Sequence, residues 1–218
     1  MNEPLKARFM QMWDMAGAKT EGRRDIVAWN TLWLILSHSG RYYHNDRHIE
    51  GCLFELDSAR GLAENPLALE IGLMYHDAVY NTGRDDNEEM SAEFMAGTFA
   101  EAGLCREFIE IPRKLILATK QGYIPREQDE KLISDIDISS LGQPPDKFDE
   151  YSRNIWKEYS WLGPVRYREG RIAVLEGLLQ RNRGHIYSTD FFREKYEKMA
   201  ASNINRALNA LNGLDEEF

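Results

Sequence analysis

The chain has 218 residues, with 27 Lys and Arg against 36 Asp and Glu, for a formal net charge of -9 at pH 7. That length suits one sizeable domain, and the acidic balance excludes a general partner such as double-stranded nucleic acid, which is met by a basic stripe. Two cysteines, Cys52 and Cys105, and an N-terminal MNEPLKARF without the charged-then-apolar plan of a signal peptide lead to the expectation of a cytoplasmic, reducing setting.

Nearly every segment shows helical period and almost none the two-residue alternation of a strand, so an all-α fold with short connections is expected. No internal repeat or low-complexity tract interrupts it. The first helix is predicted over about residues 5 to 16, with Phe9, Met12 and Trp13 on one face, and the second over about 24 to 37, ending at Ser39-Gly40. This second helix holds the most apolar run, IVAWNTLWLIL, about half of the ~20 residues needed to span a bilayer, so no membrane span is expected. In the third helix Ile49, Cys52, Leu53, Leu56 and Ala59 recur at three- and four-residue spacing as an apolar stripe, with His48 at its edge. Asn65-Pro66 reads as a cap followed by Pro at the first helical position. The helix it opens runs through Leu69, Leu73 and Met74 to His76-Asp77 and is apolar enough to be central.

A polar loop, NTGRDDNEE, precedes an amphipathic helix through Met90, Phe94 and Phe99 that stops near Gly103. Next comes a helix ending at ATKQG, with Pro112 expected near its start, where a missing donor costs little. Residues 127 to 139 form another helical candidate, broken by LGQPP, the best internal boundary. The amphipathic helices beyond it, about 146 to 160, 165 to 182 and 189 to 212, are expected to pack back on the first part. The organisation expected is therefore a single domain over 1–218, with a helical core over about 24–140 and added C-terminal helices over about 146–212.

The chemistry is carried by a set: His48, the pair His76-Asp77, and Asp137 in SDIDISSLG. Imidazole and carboxylate together suit divalent transition metals and, with water completing the shell, a site that activates water. Two histidines and two carboxylates on separate helices converge only in a bundle interior. Neighbours on a helix point about 100° apart, so His76 and Asp77 reach one ion only if it lies between them. The alternative is that the histidines are hydrogen-bonded core residues and the aspartates are caps. His38 and His185 read as structural.

The order His, His-Asp, Asp resembles the HD superfamily of metal-dependent phosphohydrolases, an all-α fold. More closely, GRYYHNDRHIEGCL, MYHDAVYNTGRDDNEEMSAEFM, DIDISSLG and GRIAVLEGLLQRNRGHIYSTDFF with the following NINRAL are similar to a bacterial subfamily of HD phosphohydrolases whose substrate is not known. The resemblance runs over nearly the whole chain and implies an HD-type helical bundle. It implies that His48, His76, Asp77 and Asp137 hold one divalent metal ion, compatible with Mn, Fe, Co, Ni, Zn or Mg. Asp135 would then be an outer-shell or helix-surface residue.

YHNDRH also looks like the YHN-x-x-H segment of cyclic-nucleotide phosphodiesterases, which implies that His44 is the general acid and His48 the ligand. An imidazole not locked to the ion can protonate a leaving oxygen near neutral pH; the other readings of His44 are a third nitrogen ligand or a loop cap. Asn45 would orient His44 or cap the helix. The family's NE-x-x-SA pattern is matched by Asn87, Glu88, Ser91 and Ala92, implying that Glu88 holds the attacking water or an outer-shell histidine. Asp86 or Asn87 would cap that helix.

Phosphate needs fixed positive charge near the ion, and Arg41, Arg47, Arg84 and Lys120 are the candidates. The chain departs from its relatives at Gln121-Gly122, where several carry His, which favours a mononuclear site, and at Trp156, where they often have Arg. Tyr80, Tyr159, Arg171 and Asn203 lie in similar blocks without an assigned role. The function expected is hydrolysis of a phosphate ester or anhydride of a small molecule, most simply a nucleotide. A non-catalytic nucleotide- or metal-binding regulator and an HD-fold metal oxygenase are the alternatives. Oligomeric state is open, with a homodimer the commonest symmetric assembly.

Overall fold

In a computed structural model that describes residues 2–213, asparagines open three of the helices. The Oδ1 atoms of Asn2, Asn45 and Asn65 accept the backbone N–H of Leu5, Arg47 and Ala68 at 3.2, 3.0 and 3.0 Å, satisfying donors that a helix start leaves without intrahelical partners. The helices they open are α1 (Glu3–Met15), α3 (Asp46–Ala59) and α4 (Pro66–Tyr75), with α2 (Arg24–Leu36) between the first two. They are followed by α5 (Asn87–Glu101), α6 (Arg106–Leu117) and α7 (Gln128–Asp137). The fold is all-α, and no strand occurs among the described residues.

Contacts divide the chain into two units, Met1–Asp137 and Ile138–Phe218. The centre of the first is α4, buried at every residue from Ala68 to Tyr75 and packed on α1, α3, α5, α6 and α7, as its apolar composition predicts. Gly72 permits the closest of these approaches. A Cβ there would stand 2.9 Å from Ile133 Cδ1 and 3.4 Å from Leu115 Cβ, so the missing side chain is what lets α4 seat against α6 and α7. At the other side of α4 an aromatic cluster forms, with ring centroids of Phe9 and Trp29 5.5 Å apart, Trp13 and Phe99 5.2 Å, and Tyr75 and Phe99 5.9 Å. Such pairs contribute about 0.5–1.5 kcal/mol each beyond the area they bury, and they fix the end of α4 one residue before His76. A charge network adds to this. Arg8 grips Asp57 through two bonds of 2.7 and 2.8 Å and reaches buried Glu70 at 2.8 Å, and Glu70 also accepts from Arg60.

Pro112 departs from the expectation. Because α6 begins at Arg106, the proline sits inside the helix, not near its start. Its ring lies on the buried face with Ile109, Leu115 and Ile116, so burial of the ring offsets the lost backbone bond. The division between units also falls earlier than LGQPP. Residues Ile138–Gly142 form a 3₁₀ turn held by the second unit: Asn203 Nδ2 donates to the carbonyls of Leu141 and Gln143 at 3.0 and 2.9 Å, and Tyr187 Oη to that of Ile138 at 3.3 Å.

The second unit contains α8 (Pro145–Tyr159), α9 (Gly163–Gln180), the short α10 (Asp190–Phe192) and, after a π turn, α11 (Lys198–Gly213). Phe148, Ile155, Leu175, Ile186, Tyr187, Phe192, Ala200 and Ile204 are its core. Trp156 is half-buried, edge-on to Tyr167 at 4.6 Å. No helix among the described residues is long and apolar enough to cross a membrane.

Candidate metal centre

Three helix ends meet in the first unit. His48 is in the first turn of α3, which the Asn45 cap starts and the buried stripe of Ile49, Cys52, Leu53 and Leu56 anchors. The helix α4 ends at Tyr75, so His76 is its C-cap and Asp77 lies in the turn beyond, closed by Ala78 N–H on the Tyr75 carbonyl at 2.9 Å. The pair is therefore not on a continuous helix, as the sequence led one to expect; the turn is what aims both side chains at one point. Asp137 is the last residue of α7. The C-terminal ends of α4 and α7, which carry partial negative charge, favour a cation there.

The four side chains converge. His48 Nε2 lies 3.1 Å from His76 Nε2, 3.1 Å from Asp137 Oδ1 and 3.5 Å from Asp77 Oδ2; His76 Nε2 lies 3.1 Å from Asp77 Oδ2 and 3.3 Å from Asp137 Oδ1. Ligands about 2.1 Å from one ion stand roughly 3.0 Å apart at right angles and roughly 3.4 Å apart in a tetrahedron, and these separations are of that size. Two further observations fit an ion. Asp77 Oδ2 is buried and, although 3.1 Å from His76 Nε2, makes no well-aligned hydrogen bond, a cost that a cation removes. The Nδ1 of His76 faces the Leu73 carbonyl at 2.9 Å, and since a carbonyl only accepts, Nδ1 holds a proton and Nε2 is the nitrogen turned to the cluster, where it would offer its lone pair to an ion.

Cys52 joins this group, an addition that sequence reading, which placed it in the apolar stripe, missed. His48, Cys52, His76 and Asp137 offer ligand atoms all within 4.8 Å of one another, and the group could hold a metal ion. The Cys52 Sγ is 3.8 Å from His48 Nδ1 and 3.7 Å from Nε2. Being equidistant from both ring nitrogens it stands abreast of the imidazole, off the Nε2 lone-pair axis. Asp77 Oδ2, 3.5 Å from His48 Nε2 and 3.1 Å from His76 Nε2, lies nearer to His48 Nε2 than the Cys52 sulfur does. Burial, with Asp137, Asp77 and Glu55 adding, pushes the Cys52 thiol well up. Without an ion the cluster balances itself with protons. Burial opposes the charged form of each group, yet Asp77 and then Asp137 hold His76 well above its ordinary range. Asp77 is held well below the carboxylate range by His76, His44 and His48, and Asp137 by His48 and His76.

His44 stands beside this group, in the loop before α3. Its ring is stacked on Tyr80 with centroids 4.0 Å apart and planes at 24°, and its centroid is 5.9 Å from that of His48. Asn45 caps α3, and its Nδ2 donates to the carbonyls of Arg41 and Tyr42, both at 3.1 Å. Glu88, half-buried at the start of α5, is held above the usual carboxylate range by burial, with the charge of Asp77 adding and Lys120 opposing.

The cationic candidates are placed differently. The Arg41 guanidinium donates to the carbonyls of His44 at 3.1 Å, of Ala78 at 3.0 Å and of Asp77, so it ties the His44 loop to the ligand turn. Arg47 is exposed; Arg84 is paired with Asp86 and Lys120 with Glu89. Asp135 is fully buried, which excludes the helix-surface alternative of its two expected placements. His38 is exposed, its Nδ1 accepting from Gly40 N–H at 3.1 Å, and His185 is exposed beside Glu197.

Asn87 and Ser91 have roles that sequence reasoning did not assign. Asn87 accepts Asn81 N–H at 2.9 Å and donates to the Asn81 carbonyl at 3.0 Å; Ser91 Oγ accepts Val79 N–H at 2.9 Å and donates to the Val79 carbonyl at 3.1 Å. The matching NE-x-x-SA block, in which these two polar residues are one helical turn apart, was the signal. Comparison with family models, with curated proteins and with solved structures gives no match.

Proposed function

We propose that the protein is a metal-dependent phosphohydrolase of the HD type, acting on a phosphate ester or anhydride of a small molecule, most simply a nucleotide. The observation that carries this reading is the convergence of two imidazole nitrogens and two carboxylate oxygens at 3.1–3.5 Å, one oxygen buried and without a well-aligned hydrogen bond. The order of those residues resembles that of the HD phosphohydrolases, which supports the reading further. His48, His76, Asp77 and Asp137 would hold one divalent ion, which when bound lowers the pKa of coordinated water and neutralises charge on the phosphoryl group.

The remaining steps fall to the protein's own groups. Water attacks phosphorus and gives up one proton to solvent, the ester or anhydride P–O bond breaks, and the departing oxygen takes a proton from His44. Glu88 and Asp77 hold the attacking water. Lys120 exchanges Glu89 for a phosphate oxygen, and Arg41 serves the site through backbone carbonyls. Asp137 keeps 21% of its side chain exposed and Asp77 13%, which leaves a small substrate a way to the ligands.

The test is phosphate release from a panel of nucleotides, cyclic nucleotides and sugar phosphates, with Mn, Co, Zn or Mg added, for the wild type and His44→Ala. Metal-dependent release that His44→Ala abolishes is expected. A metal-loaded protein that leaves the whole panel untouched overturns the hydrolase reading and favours a regulator or an oxygenase.

A further inference from the structure

His44 lies in residues 41–45, a loop without regular structure, so the direction of its ring depends on what touches it. Two rings do. Tyr43 meets it edge-on, 4.8 Å between centroids and 87° between planes, and Tyr80 meets it face to face at 4.0 Å and 24°. Tyr43 is the chain neighbour of His44 and moves with the same loop. Tyr80 comes from a different segment, and its mount is rigid. It sits between Val79, whose N–H and carbonyl are both bonded to Ser91 Oγ, and Asn81, whose N–H and carbonyl are both bonded to Asn87. Arg41 closes the frame, donating to the His44 carbonyl and to those of Asp77 and Ala78, with its guanidinium 5.7 Å from the Tyr80 ring centroid.

We propose that Tyr80 is a positioning residue: the face of its ring sets the orientation of the His44 imidazole beside the cluster of His48, His76, Asp77 and Asp137. The catalytic consequence rests on the reading of His44 as the proton donor; the positioning itself does not. Offset aromatic stacking is directional, and a ring pinned at the right angle spares the reaction the entropy of finding it. A role of the ring face predicts that phenylalanine replaces tyrosine and an aliphatic residue does not.

The experiment compares wild type, Tyr80→Phe and Tyr80→Leu by NMR of protein carrying ¹³C-labelled histidine, with the His44 signals assigned from their loss in His44→Gln. The expected result is an upfield displacement of the His44 ring protons that persists in Tyr80→Phe and vanishes in Tyr80→Leu, while both variants bind added Mn as the wild type does. If Tyr80→Leu does not fold, Tyr80→Gln replaces it. An unchanged His44 signal without the ring, or one lost equally in Tyr80→Phe, overturns the proposal.

Hydrolysis of bis(p-nitrophenyl) phosphate with Mn gives the second readout. In Tyr80→Leu, kcat falls on the order of 10- to 100-fold with KM unchanged, and Tyr80→Phe recovers it; a fall in KM affinity alone overturns the role. A wild type without turnover sinks the hydrolase reading instead, and the NMR comparison then decides the role of Tyr80 by itself.

Discussion

His76 donates its Nδ1 proton to the carbonyl of Leu73, 2.9 Å away on the last turn of α4. This bond fixes which nitrogen faces His48 and the two carboxylates, an orientation that suits the ligand role proposed for His76. The His44 ring stacks on Tyr80, with centroids 4.0 Å apart, and the role proposed for it is that of proton donor. His44→Ala is therefore expected to keep the ion and lose turnover by about 100-fold or more, the usual contribution of a general acid. His48→Ala is expected to lose both. Metal content and kcat measured on the two variants check this, and loss of the ion in His44→Ala would make it a ligand.

The ion-free cluster has a pH signature. His76, raised by its carboxylate neighbours, contributes stability that is fully present below its ordinary 6.5 and lost as pH rises through the folded value. Asp77 and Asp137, depressed by the histidines, contribute stability present above the ordinary 3.8 and lost as pH falls through their folded values. Both contributions coexist between about pH 4 and 6.5. A cation takes the place of the protons, so its binding weakens as pH falls. Thermal melts of chelator-treated and Mn-loaded protein are expected to show a larger gain from the ion at pH 8.5 than at pH 6.

Ser91 is fully buried, and its hydroxyl satisfies both backbone groups of Val79. Ser91→Ala leaves them without that partner at a cost of about 1–3 kcal/mol. Urea unfolding should report that loss, with metal retained and the His44–Tyr80 pair loosened.

Gly72→Ala places a Cβ 2.9 Å from Ile133 Cδ1, with Leu115 close behind. Forcing a methyl into that contact is expected to destabilise the first unit by about 1–3 kcal/mol, read as a lower urea midpoint with an unchanged slope.

Much of the fold was legible because it rests on local signals. The Asn65-Pro66 start of α4, the stop near Gly103, where φ is +85°, and the buried stripe beside His48 are all short-range. The convergence of His48, His76, Asp77 and Asp137 was legible from residue type and order, since few other arrangements give two imidazoles and two carboxylates a common use. Distances between helices were not legible, and they decide the rest. Asp77 aims at its neighbours because α4 stops at Tyr75; Cys52 is at once a stripe residue and a neighbour of the His48 ring; Pro112 is tolerated inside α6 because its ring is buried. The cationic candidates were chosen by sequence proximity, and only coordinates reveal that Arg41 binds carbonyls while Arg84 and Lys120 already have carboxylate partners.

The central claim is tested most directly by metal analysis of the purified wild type and of Asp77→Ala, the variant that removes the buried oxygen lacking a well-aligned hydrogen bond. One divalent ion per chain in the wild type is predicted, together with its loss from Asp77→Ala while the circular dichroism of the helices is unchanged. A wild type that takes up no ion when Mn, Co, Zn or Mg is supplied, or an Asp77→Ala protein that keeps its ion, would contradict the account.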